Sequence, residues 1–363
     1  MITKPAIFSF FSGSGFLDLG FENSGYEIVY VNEYHSPFMD AYKHSRKILG
    51  HAEPAFGYDE CSIEQVDLDI LCSNRKKLEQ QGRTVGFIGG PPCPDFSVAG
   101  KNKGKDGENG KLSKSYVNVI CKVSPDFFLF ENVKGLYRTK KHREFFETLK
   151  EQLIEHGYSL HEKLINALEY GAPQYRERII LLGFKNPSLS DVFDWSGRKY
   201  PEKSAFCYNW PTREPFMENN KSPMPASLPE ELTITHWFRK NDVENHPNAK
   251  HCFKARAGLA RFLSVEEGDD SRKSYKRLHR WRYSPTAAYG NNEVHLHPTK
   301  PRRISVSEAL AIQSLPREFE LPSDMSLSNM FKTVGNGVPY VAALGIANSI
   351  LAHLGITNEA DRT

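Results

Sequence analysis

The chain has 363 residues, a quarter of them charged, and a formal net charge of +3. That length supports a large core split between two domains, and the composition is that of a soluble globular protein. The apolar run over residues 7–11 is too short for a signal peptide or a membrane span. The six cysteines (61, 72, 93, 121, 207 and 252) contain no C-x-x-C pair. Their spacing argues against a metal site or a disulfide framework and for a reducing cytoplasm.

Residues 5–185 alternate apolar strands with amphipathic helices, the pattern of a βαβ sheet. Residues 6–11 read as a strand ending in a glycine-rich turn, and residues 28–32 as the next strand. Further strands are expected over 85–88, 127–130 and 179–184. Phe145, Phe146, Leu149, Leu153 and Ile154 recur at helical spacing over 142–156, and Gly157 suits the C′ position.

After the third strand comes Gly89-Gly90-Pro91-Pro92-Cys93-Pro94-Asp95-Phe96-Ser97. The prolines fix φ and remove backbone donors, so Cys93 sits on a stiffened loop at a strand's carboxyl end, where open α/β sheets place their chemistry. Such a thiol is a candidate nucleophile, although a lone intracellular cysteine is more often structural. Residues 98–115 carry Lys101, Lys103, Lys105, Lys111 and four glycines. This composition suits a mobile loop that closes over an anionic partner.

Between residues 186 and 302 prolines are frequent and periodicity is weak, so a separate, irregular, largely β or loop domain is expected. That segment holds 19 Lys and Arg against 14 Asp and Glu, so the rest of the chain is slightly acidic. The excess peaks over 271–283, where Arg277, Arg280 and Arg282 alternate with Tyr275, Trp281 and Tyr283. Cations interleaved with aromatics suit a phosphate backbone. The α/β texture then returns: Ser305 and Glu308 form a capping box, and Pro339 opens an apolar helix reaching about Leu354.

The turn Phe11-Ser12-Gly13-Ser14-Gly15-Phe16 precedes Glu33 by a spacing that suits a nucleotide fold, with the carboxylate accepting from ribose hydroxyls. The third glycine of the dinucleotide fingerprint is missing, since Phe16 and Leu17 are bulky and Gly20 is too distant. A pyrophosphate fits poorly. A phosphate-free adenosine ligand such as S-adenosylmethionine fits better.

These residues, in this order, resemble the cytosine-5 DNA methyltransferases, with motifs over most of both ends of the chain. Phe11 to Gly15 and Asn32-Glu33 resemble the cofactor motifs, and Pro92-Cys93-Pro94-Asp95-Phe96-Ser97 the nucleophile motif. Glu131-Asn132-Val133, Gln174-Tyr175-Arg176-Glu177-Arg178, Arg303-Ile304-Ser305 through Gln313-Ser314-Leu315-Pro316, and Gly335-Asn336-Gly337-Val338-Pro339 follow in the family's sequence.

The resemblance implies a Rossmann-like α/β domain with a mostly parallel sheet, in two parts (1–185 and 303–363), around a target-recognition domain (186–302). It implies a Cys93 thiolate that adds to cytosine C6, Glu131 at ring N3, Arg178 at O2, and Arg176 fixing a loop and a DNA phosphate. S-adenosylmethionine would contact Phe11, Ser12, Gly13, Gly15, Phe16, Leu17, Glu33, Tyr34, Ser62, Ile63, Pro92, Asn336 and Val338, leaving S-adenosylhomocysteine. Double-stranded DNA would contact Ser97, Lys101, Lys103, Arg277, Arg280, Arg282 and Thr286, with the target base flipped out.

Three departures stand out. Pro94 replaces a common glutamine, and Phe16 a glycine. Ser62 stands where an acid usually meets the adenine amino group, with Asp59 as a candidate substitute. The compact plan resembles bacterial modification enzymes, which act beside a restriction endonuclease of the same specificity; a cytoplasmic monomer without metal is expected. Competing readings are tRNA methylation, whose Cys-Phe-Thr motif is only echoed by Cys252-Phe253-Lys254, and a catalytically silent DNA-binding regulator.

Overall fold

A computed structural model describes residues 4–92, 108–186, 192–201, 203–255, 258–287, 289 and 293–356. Cys93, Ser97, Lys101 and Lys103 lie outside them.

Seven strands form one sheet: β1 (Ala6–Phe10), β2 (Glu27–Asn32), β3 (Tyr58–Asp59), β4 (Val85–Gly89), β5 (Phe127–Val133), β6 (Ser159–Asn166) and β7 (Glu177–Phe184). Their order is β3-β2-β1-β4-β5-β7-β6. The pairings from β3 through β5 are parallel, whereas β7 runs antiparallel to both β5 and β6. Strand alternation sends Phe8, Phe10, Phe87, Phe128 and Phe130 to one face and Ile7, Ile88, Phe127 and Leu129 to the other. The first face is covered by α3 (Leu68–Gln80), α4 (Glu108–Val123) and α5 (Lys140–Glu155). The second is covered by α1 (Phe16–Asn23), α2 (Ser36–Leu49) and α10 (Tyr340–His353).

The chain winds outward from β1 through β3 and then returns to β4, so the winding reverses beside β1. Open α/β sheets bind ligands at that crevice, outside the strands' carboxyl ends.

Residues 186–302 contain α6 (Ile234–Lys240), α7 (Leu259–Ser264) and short 3-10 turns. Their β content among the described residues is isolated bridges such as Arg277 with Leu296, so of the two expected textures the loop-rich one is seen. Frequent prolines cannot donate to a ladder. A third core packs Ile234, Leu278, Ala287 and Val294 against Phe16 and Leu19 of α1 and against α8 (Val306–Ile312) and α9 (Leu327–Asn336).

Three further sequence expectations change. Residues 108–115 are helical, because α4 starts at Glu108, so part of the expected closing loop is an element packed on the sheet. Both β6 and α9 were unforeseen. The apolar stretch Leu327–His353 has the length and hydropathy of a membrane span, but most of it is buried, and it is broken between Asn336 and Tyr340. The expected capping box is present: Ser305 Oγ accepts from Glu308 N, and Glu308 reaches back to Ser305 N.

Candidate active site

A cavity of about 820 Å³ opens at the crevice. It is lined by Phe11, Ser12, Gly13, Phe16, Leu17, Glu33, Tyr34, Ser62, Ile63, Pro92, Glu131, Arg178, Asn336 and Val338. The cofactor residues read from the sequence therefore converge there, with Gly15 just outside the lining. Sequence reasoning missed Asn132, Glu64, Lys332 and Thr333, which also line it. Thr333 lies one turn before Asn336 on α9, a helix the sequence reading did not place.

The turn after β1 is held from several sides. Phe11, Gly13 and Gly15 all have positive φ, at 53°, 56° and 80°. Gly13 N donates to Glu33 Oε2 and His35 N to Glu33 Oε1, both at 2.8 Å. Glu33 is thus partly spent on the backbone, though each oxygen keeps a second acceptor position for a ribose hydroxyl. Burial pushes its carboxyl up, while those two N–H groups pull it down. Ser14 Oγ and Thr333 Oγ1 share a hydrogen bond of 2.7 Å, tying the turn to the return segment.

Beneath the turn lies a buried polar network that the sequence did not disclose. Arg46 Nη2 donates to Gly15 O at 2.6 Å, and Arg46 Nε pairs with Glu22 Oε2 at 2.8 Å. The guanidinium also lies over the Tyr42 ring. Asp18 accepts from Ser9 Oγ and Tyr42 OH, both at 2.9 Å. Burial pushes both carboxyls up, and Arg46 opposes the rise.

The adenine-side expectation needs correction. Asp59 does not line the cavity; its oxygens accept from Tyr30 OH at 2.8 Å and Cys61 N at 2.9 Å. Ser62 and Ile63 do line it, with Ser62 Oγ accepting from Glu64 N. Two buried atoms in the lining, Ser12 Oγ and Asn132 Nδ2, have no hydrogen-bond partner among the described residues. Unsatisfied polar atoms around a half-apolar cavity fit a ligand with an apolar body and a few hydrogen-bonding groups. S-adenosylmethionine is such a ligand, and the residues present fit it.

At the cavity's far side Glu131 lies on β5 and Arg178 opposite Val133 on β7. Glu131 Oε1 and Arg178 Nε form an ion pair of 2.7 Å. A Cβ added to Gly90 would lie 2.9 Å from Glu131 Oε2, so the backbone at Gly90 passes directly beside this carboxylate.

Arg176 fixes loop segments, as expected, but does not face a DNA phosphate. It is 1% exposed and donates to Gly335 O at 2.8 Å and Ala287 O at 3.1 Å, which leaves no route to a DNA phosphate. Gln174 works in parallel, donating to Gln313 Oε1 and accepting from Ala287 N. The pair Gln174 and Arg176 binds the start of β7 to residue 287 and to the return segment.

The 277–281 part of the basic-aromatic stretch is also internal, while residues 271–273 are exposed. Arg277 is 0% exposed and donates to the carbonyls of Val265, His297, Lys300 and Phe262. Arg280 is paired with the buried Glu267 and with Glu214. Neither guanidinium is available to DNA; spacing alone could not distinguish a surface cation from one that fastens a strand-poor segment. Arg282 is partly exposed, 3.9 Å from Asp270. Thr286 is partly exposed, but its hydroxyl donates to Tyr175 O at 2.7 Å.

Comparison with known proteins agrees with this geometry. Residues 6–352 match the family model described as C-5 cytosine-specific DNA methylase. The chain is 60% identical to Type II methyltransferase M.NmeDI of Neisseria meningitidis serogroup C, over 99% of this chain and 86% of that protein. It is 28% identical to Type II methyltransferase M.FnuDI of Fusobacterium nucleatum, over 95% and 93%. Among solved structures, a putative DNA modification methyltransferase encoded within an Escherichia coli prophage shares the fold at 21% identity, with a TM-score of 0.68 and coverage of 97% and 100%. Spodoptera frugiperda DNMT2 does so at 16% identity, with a TM-score of 0.60 and the same coverage. This chain belongs to the C-5 cytosine-specific DNA methylase family, enzymes that methylate DNA at cytosine C5 with a methyl group from S-adenosylmethionine.

Proposed function

We propose that this enzyme flips one cytosine out of a short, specific duplex sequence and methylates it through a covalent bond between Cys93 and C6. The observation that supports the reading is the passage of the Gly90 backbone, three residues before Cys93 in the sequence, beside the Glu131–Arg178 pair that lines the cavity. S-adenosylmethionine, bound by the β1 turn, Glu33, the Ser62–Ile63 corner and Asn336 to Val338, would supply an electrophilic methyl group and leave as S-adenosylhomocysteine. No metal is required.

Cytosine C5 is a weak nucleophile. The Cys93 thiolate forms a bond to C6, and the C5–C6 π pair moves to C5, which becomes able to take up a methyl group. Glu131 holds the N3 edge, and Arg178 the O2 side where negative charge develops. A base then removes the C5 proton, the double bond re-forms, and the C6–S bond breaks to release Cys93. Arg176 acts as a positioning residue, fixing the approach to β7.

Residues 186–302 are proposed to read the target, with Arg282 and Thr286 on the DNA side together with Ser97, Lys101 and Lys103. Similarity to relatives named as Type II methyltransferases supports the proposed pairing with a restriction endonuclease of matching specificity; the proposal places this chain in the cytoplasm, as a monomer.

The test is methyl transfer from labelled S-adenosylmethionine to unmethylated genomic DNA, followed by base-resolution mapping. Label on C5 within one short sequence, lost in Cys93→Ala, is expected. Label on another atom or on RNA alone would refute the reading.

A further inference from the structure

The two most basic-looking arginines of the inserted segment are internal, so other cations must meet much of the DNA backbone. Directly after Glu131-Asn132-Val133 the chain carries Lys134, Arg138, Lys140, Lys141 and Arg143, with no acidic residue between Asn132 and Arg143. All five are exposed. Lys134 Nζ lies 2.9 Å from Glu177 Oε2, and Lys140 Nζ 3.7 Å from Glu144. Arg138 and Arg143 make no ion pair among the described residues.

This stretch is held rigidly. Leu136 is buried in the core, Thr139 Oγ1 accepts from His142 N, and His142 Nδ1 lies 3.2 Å from Gly135 O. Side-chain charge presented from a fixed backbone loses less entropy on binding than charge on a loose loop.

Its position is set by the sheet. Val133 is paired with Arg178, so the stretch starts at the edge where Glu131 and Arg178 line the cavity. Lys134 bridges to Glu177, next to Arg178, and Tyr175 beyond it is exposed and bonded to Thr286. The basic stretch therefore begins at the mouth of the site, with Val133 in the cavity lining and Lys134 next to it.

The cations also oppose local stability. Lys140, Lys141 and Arg143 occupy the first turns of α5, where the helix dipole favours acids, and the first turn contains none. Folding alone does not explain their placement.

We propose that Lys134, Arg138, Lys140, Lys141 and Arg143 form a second DNA-backbone surface on the catalytic domain, gripping phosphates beside the flipped base. The surface carries affinity without sequence information, since phosphate contacts position a duplex and base contacts specify it. The proposal rests on the family's DNA substrate and is independent of the route through Cys93.

The test is the salt dependence of binding to a duplex of fixed sequence, measured by fluorescence anisotropy for wild type and Arg138→Gln/Arg143→Gln. Each lost phosphate contact reduces the slope of log K against log salt by about 0.9, so the double variant should lose about 1.8. The affinity gap between the two proteins then shrinks about twelvefold from 50 to 200 mM salt. Arg138→Lys/Arg143→Lys should restore the slope. A control pair on exposed α3 positions, Lys76→Gln/Lys77→Gln, should leave it unchanged.

An unchanged slope in the Gln variant overturns the proposal, as does an equal loss in the α3 control. Wild type lacking salt-dependent DNA binding would overturn it together with the DNA reading.

Discussion

Replacing Arg46 with methionine tests the network beneath the cofactor turn. Arg46 is buried, pairs with Glu22 and donates to the Gly15 carbonyl, with Asp18 close by. Methionine keeps much of the volume but strands two carboxyls and one carbonyl away from water. Removing one partner of a buried pair costs about 3–5 kcal/mol. Taking about 4 kcal/mol and an m value near 3 kcal/mol/M for a protein of this size, the urea midpoint should fall by about 1.3 M. Arg46→Met/Glu22→Gln should recover about 1–3 kcal/mol, because an amide in place of Glu22 no longer carries the stranded charge. S-adenosylhomocysteine binding, followed by calorimetry, should weaken in the single variant because the Gly15 turn loses its anchor. A single variant within about 1 kcal/mol of wild type, or a double variant no better than the single, would refute the reasoning.

Three other outcomes follow from the same geometry. A Cβ at Gly337 would lie 2.1 Å from the Phe16 ring, which packs on Phe319, so Gly337→Ala should raise KM for S-adenosylmethionine about tenfold or more while leaving KM for DNA nearly unchanged. Arg277→Ala should destabilise the protein by several kcal/mol, about 3 or more, yet leave the salt slope of DNA binding intact; a changed slope would return Arg277 to the DNA surface. His295 and His297 are buried, which pushes each down to about 3 from an ordinary 6.5. The unfolded chain therefore binds these two protons first as pH falls. Their contribution is complete above about pH 6.5 and is lost toward pH 3, by up to about 3 kcal/mol per pH unit together. Urea midpoints that hold steady or rise between pH 6.5 and 5 would contradict this.

Much of the fold was legible because its signals are local. Short apolar runs bounded by Gly and Pro located five of the seven strands, and Ser305 with Glu308 located a helix start. Strand β6 escaped because Ser159 to Lys163 are only partly buried or exposed, which weakens the apolar signal. Helix α4 escaped because its first residues share glycine and lysine with the sequence before it.

The site was legible where function lies in short motifs. Phe11 to Ser14, Phe16, Leu17, Glu33, Glu131, Arg178 and Asn336 to Val338 meet around one cavity. What the sequence hid depends on long-range partners. Arg277 and Arg280 look like surface cations until the carbonyls and Glu267 that surround them are in place. Asp59 looks like a free acid until Tyr30 and Cys61 are seen to occupy it. The basic stretch after Glu131 needed no structure to be seen, only a count of charges outside the inserted segment.

The most direct test of the central claim is to trap the bond between enzyme and base. The substrate is a duplex carrying 5-fluorocytosine at the mapped target, incubated with enzyme and S-adenosylmethionine. Once C5 is methylated it holds fluorine where the proton would be, so the final elimination is blocked and Cys93 cannot leave. Denaturing mass spectrometry should find protein joined to one DNA strand, and no such species with Cys93→Ala. An enzyme that methylates ordinary DNA but forms no adduct, or an adduct that survives loss of Cys93, would contradict the account.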